Sequence, residues 1–190
     1  MSETYDEADW SAALSGDGEG FGRLFDRHRD RVYRHSIRLV PVVADADDVV
    51  AVVFLEAWRR RAEVRFVDGS LLPWLLVTAT NAAANLSRSS RRHRALLDRL
   101  PPGEHHPDHA PSFDDGEAQA ALARMPLPDR QVITLCVLEG LSEREAADAL
   151  AVAPGTVKSR LSRAKKRLAQ QLDRASTLAP SLREEAQHGL

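Results

Sequence analysis

The chain has 190 residues, 43% of them hydrophobic and 28% charged, with a formal net charge of −2 at pH 7. This is the composition of a soluble globular protein of one medium or two small domains. A single cysteine, Cys136, excludes an internal disulfide, no apolar run approaches the roughly 20 residues of a membrane helix, and 5% aromatic content leaves any core to Leu, Val and Ala.

The opening MSETYDEADW is acidic and lacks the basic-then-apolar order of a signal peptide. A cytoplasmic protein is expected, with residues 1–20 a tail running into the start of the first helix. FGRLFDRHRDRVYRHSIRLV then places Phe21, Leu24, Phe25, Val32, Ile37 and Leu39 on a helical pattern. Gly20 and Gly22 near its start each weaken it by up to about 1 kcal/mol relative to Ala. In DADDVVAVVFLEAWRR, Val50, Val53, Phe54, Ala57 and Trp58 recur at helical spacing, with Asp45 as N-cap and Asp47 and Asp48 suiting the positive end of the helix dipole. After the turn-prone VDGS, LLPWLLVTATNAAANLSRSSRRHR reads as a further helix with Pro73 in its first turn.

The middle segment, PPGEHHPDHAPSFDDG (101–116), has no period and reads as a flexible linker. His105, His106 and His109 match no closed zinc spacing and have no cysteine nearby, so neither metal nor cofactor is expected. Residues 117–175 are helical again. DRQVITLCVLEG ends at Gly140, a natural C′ residue, with Cys136 as a small buried hydrophobe. SEREAADALAV opens with Ser142 and Glu145 in capping-box spacing, and AVAPG connects it to another helix. The order is that of a helix-turn-helix. The expected fold is all-α: two small helical domains, 21–100 and 117–175, joined by the linker, with 176–190 a C-terminal tail.

The last helix carries the chemistry. In GTVKSRLSRAKKRL six of fourteen residues are Lys or Arg, and no acid occurs from Val157 to Gln171. At 100° per residue Val157, Leu161, Ala164 and Leu168 form one stripe. Ser159, Ser162, Arg163 and Lys166 lie opposite, with Thr156 and Arg167 close by and Lys158 and Arg160 on the flanks. A solvated helix mixes signs for i,i+4 support; this one presents cations and small hydroxyls, the composition that meets phosphates and base edges in a major groove.

At these residues the chain resembles the extracytoplasmic-function (ECF) sigma factors of bacterial RNA polymerase, two-domain members of the sigma-70 family. LPDRQVITLCVLEGLSEREAADALAVAPGTVKSRLSRAKKRL is similar to the family's region 4, which reads the −35 element. The segments from FGRLFD through DADDVV and PWL to NLSR are similar to region 2, which grips the polymerase clamp and melts the −10 element. The likeness covers about Phe21 to Leu172. It implies −35 contacts from Thr156, Lys158, Ser159, Ser162, Arg163 and Lys166. For the −10 element it implies Phe66, Asp68, Gly69, Ser70 and Asn81 around an extruded base, whose edge needs such donors and acceptors. Arg88, with Arg91, Arg92 and Arg94, would hold the backbone. Asp48, Val49, Val52 and Leu55 are the implied polymerase contacts. Three positions depart from the family pattern: Ala51-Val52 replaces a Gln-Glu pair, Asn85 an acid, and Ala153 a serine cap.

The resemblance implies a promoter-specificity subunit, not an enzyme, with core RNA polymerase and promoter DNA as partners and an anti-sigma factor as regulator. No small-molecule substrate and no direct membrane insertion are expected. The slight negative charge limits free DNA binding, so recognition would depend on polymerase holding the two domains apart. The acids of the linker could mimic nucleic acid inside the polymerase. The rival reading, a conventional helix-turn-helix activator, would bind duplex tightly by itself. An enzyme would need a concave site with perturbed ionisable groups.

Overall fold

The computed structural model describes residues 5–97 and 115–187, with side-chain surroundings for 5–89 and 118–172. Residues 98–114, with His105, His106 and His109, lie outside the described residues, as do the side chains of Arg91, Arg92 and Arg94. The helices are α1 (Tyr5–Leu14), α2 (Gly18–Ile37), α3 (Asp45–Arg59), α4 (Leu72–Leu97), α5 (Asp115–Arg124), α6 (Leu127–Ile133), α7 (Glu143–Leu150) and α8 (Pro154–Gln187). A π-helical turn, Thr134–Leu138, continues α6. Among the described residues the sole β feature is the Val67–Ser70 bridge, so the fold is all-α.

The first half packs α1 on α2 and α3 against both α2 and α4. Helix α1 can lie close on α2 because Gly20 has no side chain: a Cβ there would stand 2.5 Å from the Asp9 carbonyl oxygen. Leu24 and Val32 of α2, Val49, Val50, Val53 and Phe54 of α3, and Leu75, Leu76 and Ala79 of α4 form the core. Phe25 meets Phe54 at 4.8 Å between ring centroids, and Phe21 meets Trp58 at 5.6 Å. Trp58, expected on the core face, is nonetheless 40% exposed, with Arg61 over its ring.

Asp45 is the first residue of α3, not its cap. Ala44, at φ −58 and ψ −31, is the N-cap and makes no side-chain bond. The preceding turn, closed by the Asp45 N–H on the Val42 carbonyl, already has helical curvature, whereas a capping side chain needs an extended cap residue.

In the second half α8 packs on α5, α6 and α7. Ser142 caps α7 in a complete capping box with Glu145. The α7–α8 turn passes through Ala151 in the left-handed region, φ +55, and is closed by the Val152 N–H on the Ala147 carbonyl. Gly140, at φ +74, ends the π-helical turn as a C′ glycine should. Helix α8 continues well beyond residue 175, into the segment expected to be a tail.

The two halves touch. Gln119 of α5 donates to the carbonyls of Ile37 (2.8 Å) and Val40 (2.5 Å). Glu139, whose side chain is 1% exposed, accepts from Arg31 Nε (2.7 Å), His35 Nδ1 (2.9 Å) and Arg38 (3.1 Å) of the first half. His35 Nε2 lies 3.0 Å from the Thr80 hydroxyl, which in turn lies 3.4 Å from that of Thr134.

Candidate nucleic-acid interface

The stripe on α8 faces the core: Val157 and Ala164 are fully covered, Leu161 nearly so and Leu168 half-buried. The other side faces solvent, with Lys158, Ser159, Ser162, Arg163 and Lys166 exposed and Thr156 half-buried. Ser159 donates its hydroxyl to the Thr156 carbonyl, and Arg163 Nε donates to the Ser159 carbonyl at 3.4 Å. No described acid pairs with Lys158, Arg163, Lys165 or Lys166, whereas Arg167, further round the helix, binds Asp129. Four cations therefore stand on an exposed helix with no described carboxylate paired to them. Phosphate is the partner that such a surface attracts.

The Phe66–Leu71 loop is a two-residue hairpin. Asp68 (φ +48) and Gly69 (φ +77) occupy its tip, and Val67 and Ser70 exchange backbone hydrogen bonds at 2.9 and 3.0 Å. Two successive positive φ values are the signature of a type I′ turn, which Asp-Gly favours. Phe66 packs edge-on against Trp10 at 6.5 Å. Asp68 is exposed at the tip and pairs with Arg144 of α7 at 3.1 Å. Asn81, half-buried on α4, accepts from the Gln131 side chain of α6 at 2.8 Å. Arg88 is exposed further along α4 and bonds Asn85. The two side chains expected to read a base thus both meet the second half of the chain.

On α3, Asp48, Val52, Leu55 and Arg59 recur at i, i+4, i+7 and i+11 and form one exposed line, with Val52 43% and Leu55 56% exposed. Val49 does not belong to it. It is 2% exposed, because one residue's step of 100° turns it from the Asp48 line into the core. Of the four expected polymerase contacts on this helix it alone stands in the core.

Sequence reasoning missed two buried carboxylates, each held by a histidine of α2. Burial raises the Glu139 carboxyl, but hydrogen bonds from His35 and Arg31 and their charges overcome it and hold it down at about 2. Burial likewise opposes ionisation of Asp6, yet His28, the Leu71 N–H and Arg27 bring it to about 2. Neither carboxylate suits acid–base work at neutral pH; both are spent on joining helices. The Cys136 thiol is raised by burial and nearby acids, which makes it a poor nucleophile. Among the described residues no group of three His, Cys, Asp or Glu could hold a metal, and no helix is long and apolar enough to cross a membrane.

Residues 24–93 match the family model for Sigma-70 region 2, and residues 115–168 that for Sigma-70, region 4. The chain is 32% identical over 169 residues to the ECF RNA polymerase sigma factor SigM of Mycobacterium tuberculosis, covering 88% of this chain and 84% of that one. It is 31% identical to SigE of Mycolicibacterium smegmatis, covering 92% and 72%. Among solved structures, CnrH in complex with the cytosolic domain of CnrY is 27% identical at a TM-score of 0.60, covering 89% of this chain and 97% of that chain. The sigma factor RpoE with the anti-sigma factor NepR, from Bartonella quintana, is 28% identical at 0.53, covering 80% and 96%.

Proposed function

Since the chain belongs to the ECF sigma factors of the sigma-70 family, promoter-specificity subunits of RNA polymerase, we propose how its surfaces divide that work. Residues 117–175 act as region 4. Thr156, Lys158, Ser159, Ser162, Arg163 and Lys166 enter the major groove of the −35 element. Residues 21–100 act as region 2. Phe66, Asp68, Gly69, Ser70 and Asn81 surround an extruded base of the melted −10 strand, and Arg88 holds its backbone. Asp48, Val52 and Leu55 dock on core RNA polymerase, and Val49 supports their helix from within. Core polymerase supplies the catalysis, and the subunit works in the cytoplasm.

The observation that carries this reading is the acid-free cationic face of α8. It sits on the second helix of a helix-turn-helix, in a chain whose other half matches region 2.

The −35 and −10 elements are about 25 base pairs apart, or about 85 Å along the duplex. A chain in which Gln131 holds Asn81 and Arg144 holds Asp68 cannot serve both. Polymerase therefore parts the halves on binding, exchanging the Glu139 contacts for its own. An anti-sigma protein is the proposed antagonist, on the likeness to the sigma factor RpoE solved with the anti-sigma factor NepR.

The test is transcription of fragmented genomic DNA by core polymerase with this protein, with Val52→Glu, and with neither. Protein-dependent transcripts sharing an upstream motif, and lost with Val52→Glu, are expected. Tight duplex binding by the protein alone, with no new transcripts, would instead favour the activator.

A further inference from the structure

The base-reading hairpin is short. Its own ladder is the two hydrogen bonds between Val67 and Ser70, and a lone two-stranded turn is marginal in water. Something else must fix it, and both of its exits are held by one helix. On the entry side Phe66 leans on Trp10 of α1. On the exit side the Leu71 N–H donates to Asp6 Oδ2 at 2.8 Å, and the Ser70 hydroxyl lies 3.4 Å from the same oxygen. Asp6 and Trp10 are four residues apart, one above the other on the same face of α1.

Asp6 is itself immobilised. Its carboxylate is 2% exposed and accepts from His28 Nε2 at 2.7 Å and from Arg27 at 2.5 Å, both on α2. Arg27 also binds Asp9, and Asp9 binds Arg23, each at 2.7 Å. With Gly20 allowing the close approach of α1, the first helix is clamped to the second along its length. Leu71 directly precedes α4, where the first N–H groups have no partner within the helix. The carboxylate satisfies one of them and places negative charge at the positive end of α4. Ser70 completes the joint by accepting from the Leu72 N–H at 3.2 Å while facing Asp6.

We propose that Asp6 is a positioning residue for promoter recognition: it touches no DNA, but by fixing Leu71 and Ser70 it sets the pose in which Asp68 and Gly69 meet the extruded base. Ser70 belongs with it, its hydroxyl committed to the joint between loop and helix. Helix α1, which lies before the region 2 match at residues 24–93, is thereby part of the specificity apparatus. Because burial is outweighed by three hydrogen-bonding partners, the carboxylate stays ionised at every physiological pH.

The inference rests on the assignment of the 66–71 loop as base reader, and the test separates the two. Full-length chain is assembled with core polymerase, as wild type, Asp6→Asn, Asp68→Ala and the double variant. Each holoenzyme is titrated with −35 duplex and with single-stranded −10 oligonucleotides of the recovered promoter, carrying each of the four bases in turn. Asp6→Asn is expected to keep core and −35 affinity within about twofold while compressing the ratio between preferred and disfavoured −10 bases about tenfold, the scale of a lost charged hydrogen bond. In the Asp68→Ala background it should compress the ratio no further, because the reader it positions is gone. A ratio unchanged by Asp6→Asn, or an equal loss in all titrations, overturns the positioning role. A ratio unchanged by Asp68→Ala overturns the loop assignment instead. Should Asp6→Asn bind core poorly, Asp6→Glu keeps the charge but moves the carboxylate away from the Leu71 N–H. Compression about threefold with core affinity kept is then the expected result, and none the contrary one.

Discussion

His35 Nδ1 donates to Glu139 Oε1 across 2.9 Å, joining residues 104 positions apart. The histidine is fully buried and the carboxylate is 1% exposed. Arg31 and Arg38 share that carboxylate but keep nearly half their side chains in water. This asymmetry decides the cost of breaking the joint. Glu139→Ala lets both arginines turn to solvent but strands His35. The loss should fall near the low end for a broken buried pair, about 3 kcal/mol. Arg38→Ala removes an exposed partner and should cost about 1 kcal/mol or less. Denaturant melts of the two variants check the order, and the Glu139→Ala chain should also be larger by X-ray scattering, because the same residue ties the halves together.

Acid should undo the same joints. Glu139 and Asp6 sit at about 2 in the folded chain, against ordinary values of 4.5 and 3.8. The unfolded chain therefore takes up these protons first, so stability falls as the pH drops from about 4.5 towards about 2, and is flat with respect to these two groups above that window. Urea melts from pH 7 to pH 3 should show the decline, with a shallower slope in Glu139→Gln. An equally steep slope in that variant would remove Glu139 from the account.

Gly20 and Gly22 look alike in sequence and should respond oppositely to alanine. Within a helix Ala is favoured over Gly by up to about 1 kcal/mol. At Gly22 an added Cβ meets nothing within 4 Å, so Gly22→Ala should stabilise by that order. At Gly20 the Cβ would fall 2.5 Å from backbone oxygen of Asp9 and 3.0 Å from the Ala13 nitrogen. Gly20→Ala must push α1 off α2 and should destabilise the chain. Thermal melts of the pair decide, and a stabilising Gly20→Ala would mean that α1 does not dock as described.

What the sequence revealed and what it hid divide along one physical line. The α8 stripe, the Ser142–Glu145 capping box and the Asp-Gly turn were legible because each is local: a helical period, a three-residue spacing, a dipeptide with left-handed tolerance. Val49, expected at the polymerase from the family resemblance and not from the helical period, adjoins Asp48 in the chain while pointing 100° away from it. The carboxylates were invisible for a different reason. Asp6 meets Leu71 from 65 positions away and Glu139 meets His35 from 104, and no periodicity encodes a polar pairing at that range. One signal was available: His28 and His35 stand seven residues apart, two turns along α2, on its buried side. Histidines buried at core spacing call for hydrogen-bonding partners.

The α3 surface offers a separation of binding from stability. Val52 is 43% exposed and Val49 2%, though both are valines on one helix. Val52→Glu places a charge in water beside Asp48 and Glu56, at a folding cost of about 1 kcal/mol or less, and should lower core polymerase affinity about tenfold or more if the residue is buried in that contact. Val49→Ala removes buried methyl groups and should cost about 2 kcal/mol of stability, with core affinity kept wherever the chain remains folded. Pull-down with core polymerase beside thermal melts reads both. Equal core affinity for wild type and Val52→Glu would move the docking face elsewhere.

The basic face of α8 can be dissected by salt. Each cation that neutralises a phosphate adds about 0.9 to the slope of log affinity against log salt. Lys158 and Lys166 are exposed and have no described acid beside them. Either lysine changed to Ala should weaken holoenzyme binding to all −35 sequences alike and lower the slope by about 1. Arg163 lies on the same face and can fork to a guanine, so Arg163→Ala should cost about 1–3 kcal/mol on the preferred sequence and less on others. Leu161→Ala is the control from the opposite face. It is buried, so its loss should appear as about 2–5 kcal/mol of folding stability, with the salt slope of the folded fraction intact. Were the lysine variants to leave the slope unchanged, the cationic face would not be on DNA, and the concentration of charge in this one helix would need another partner.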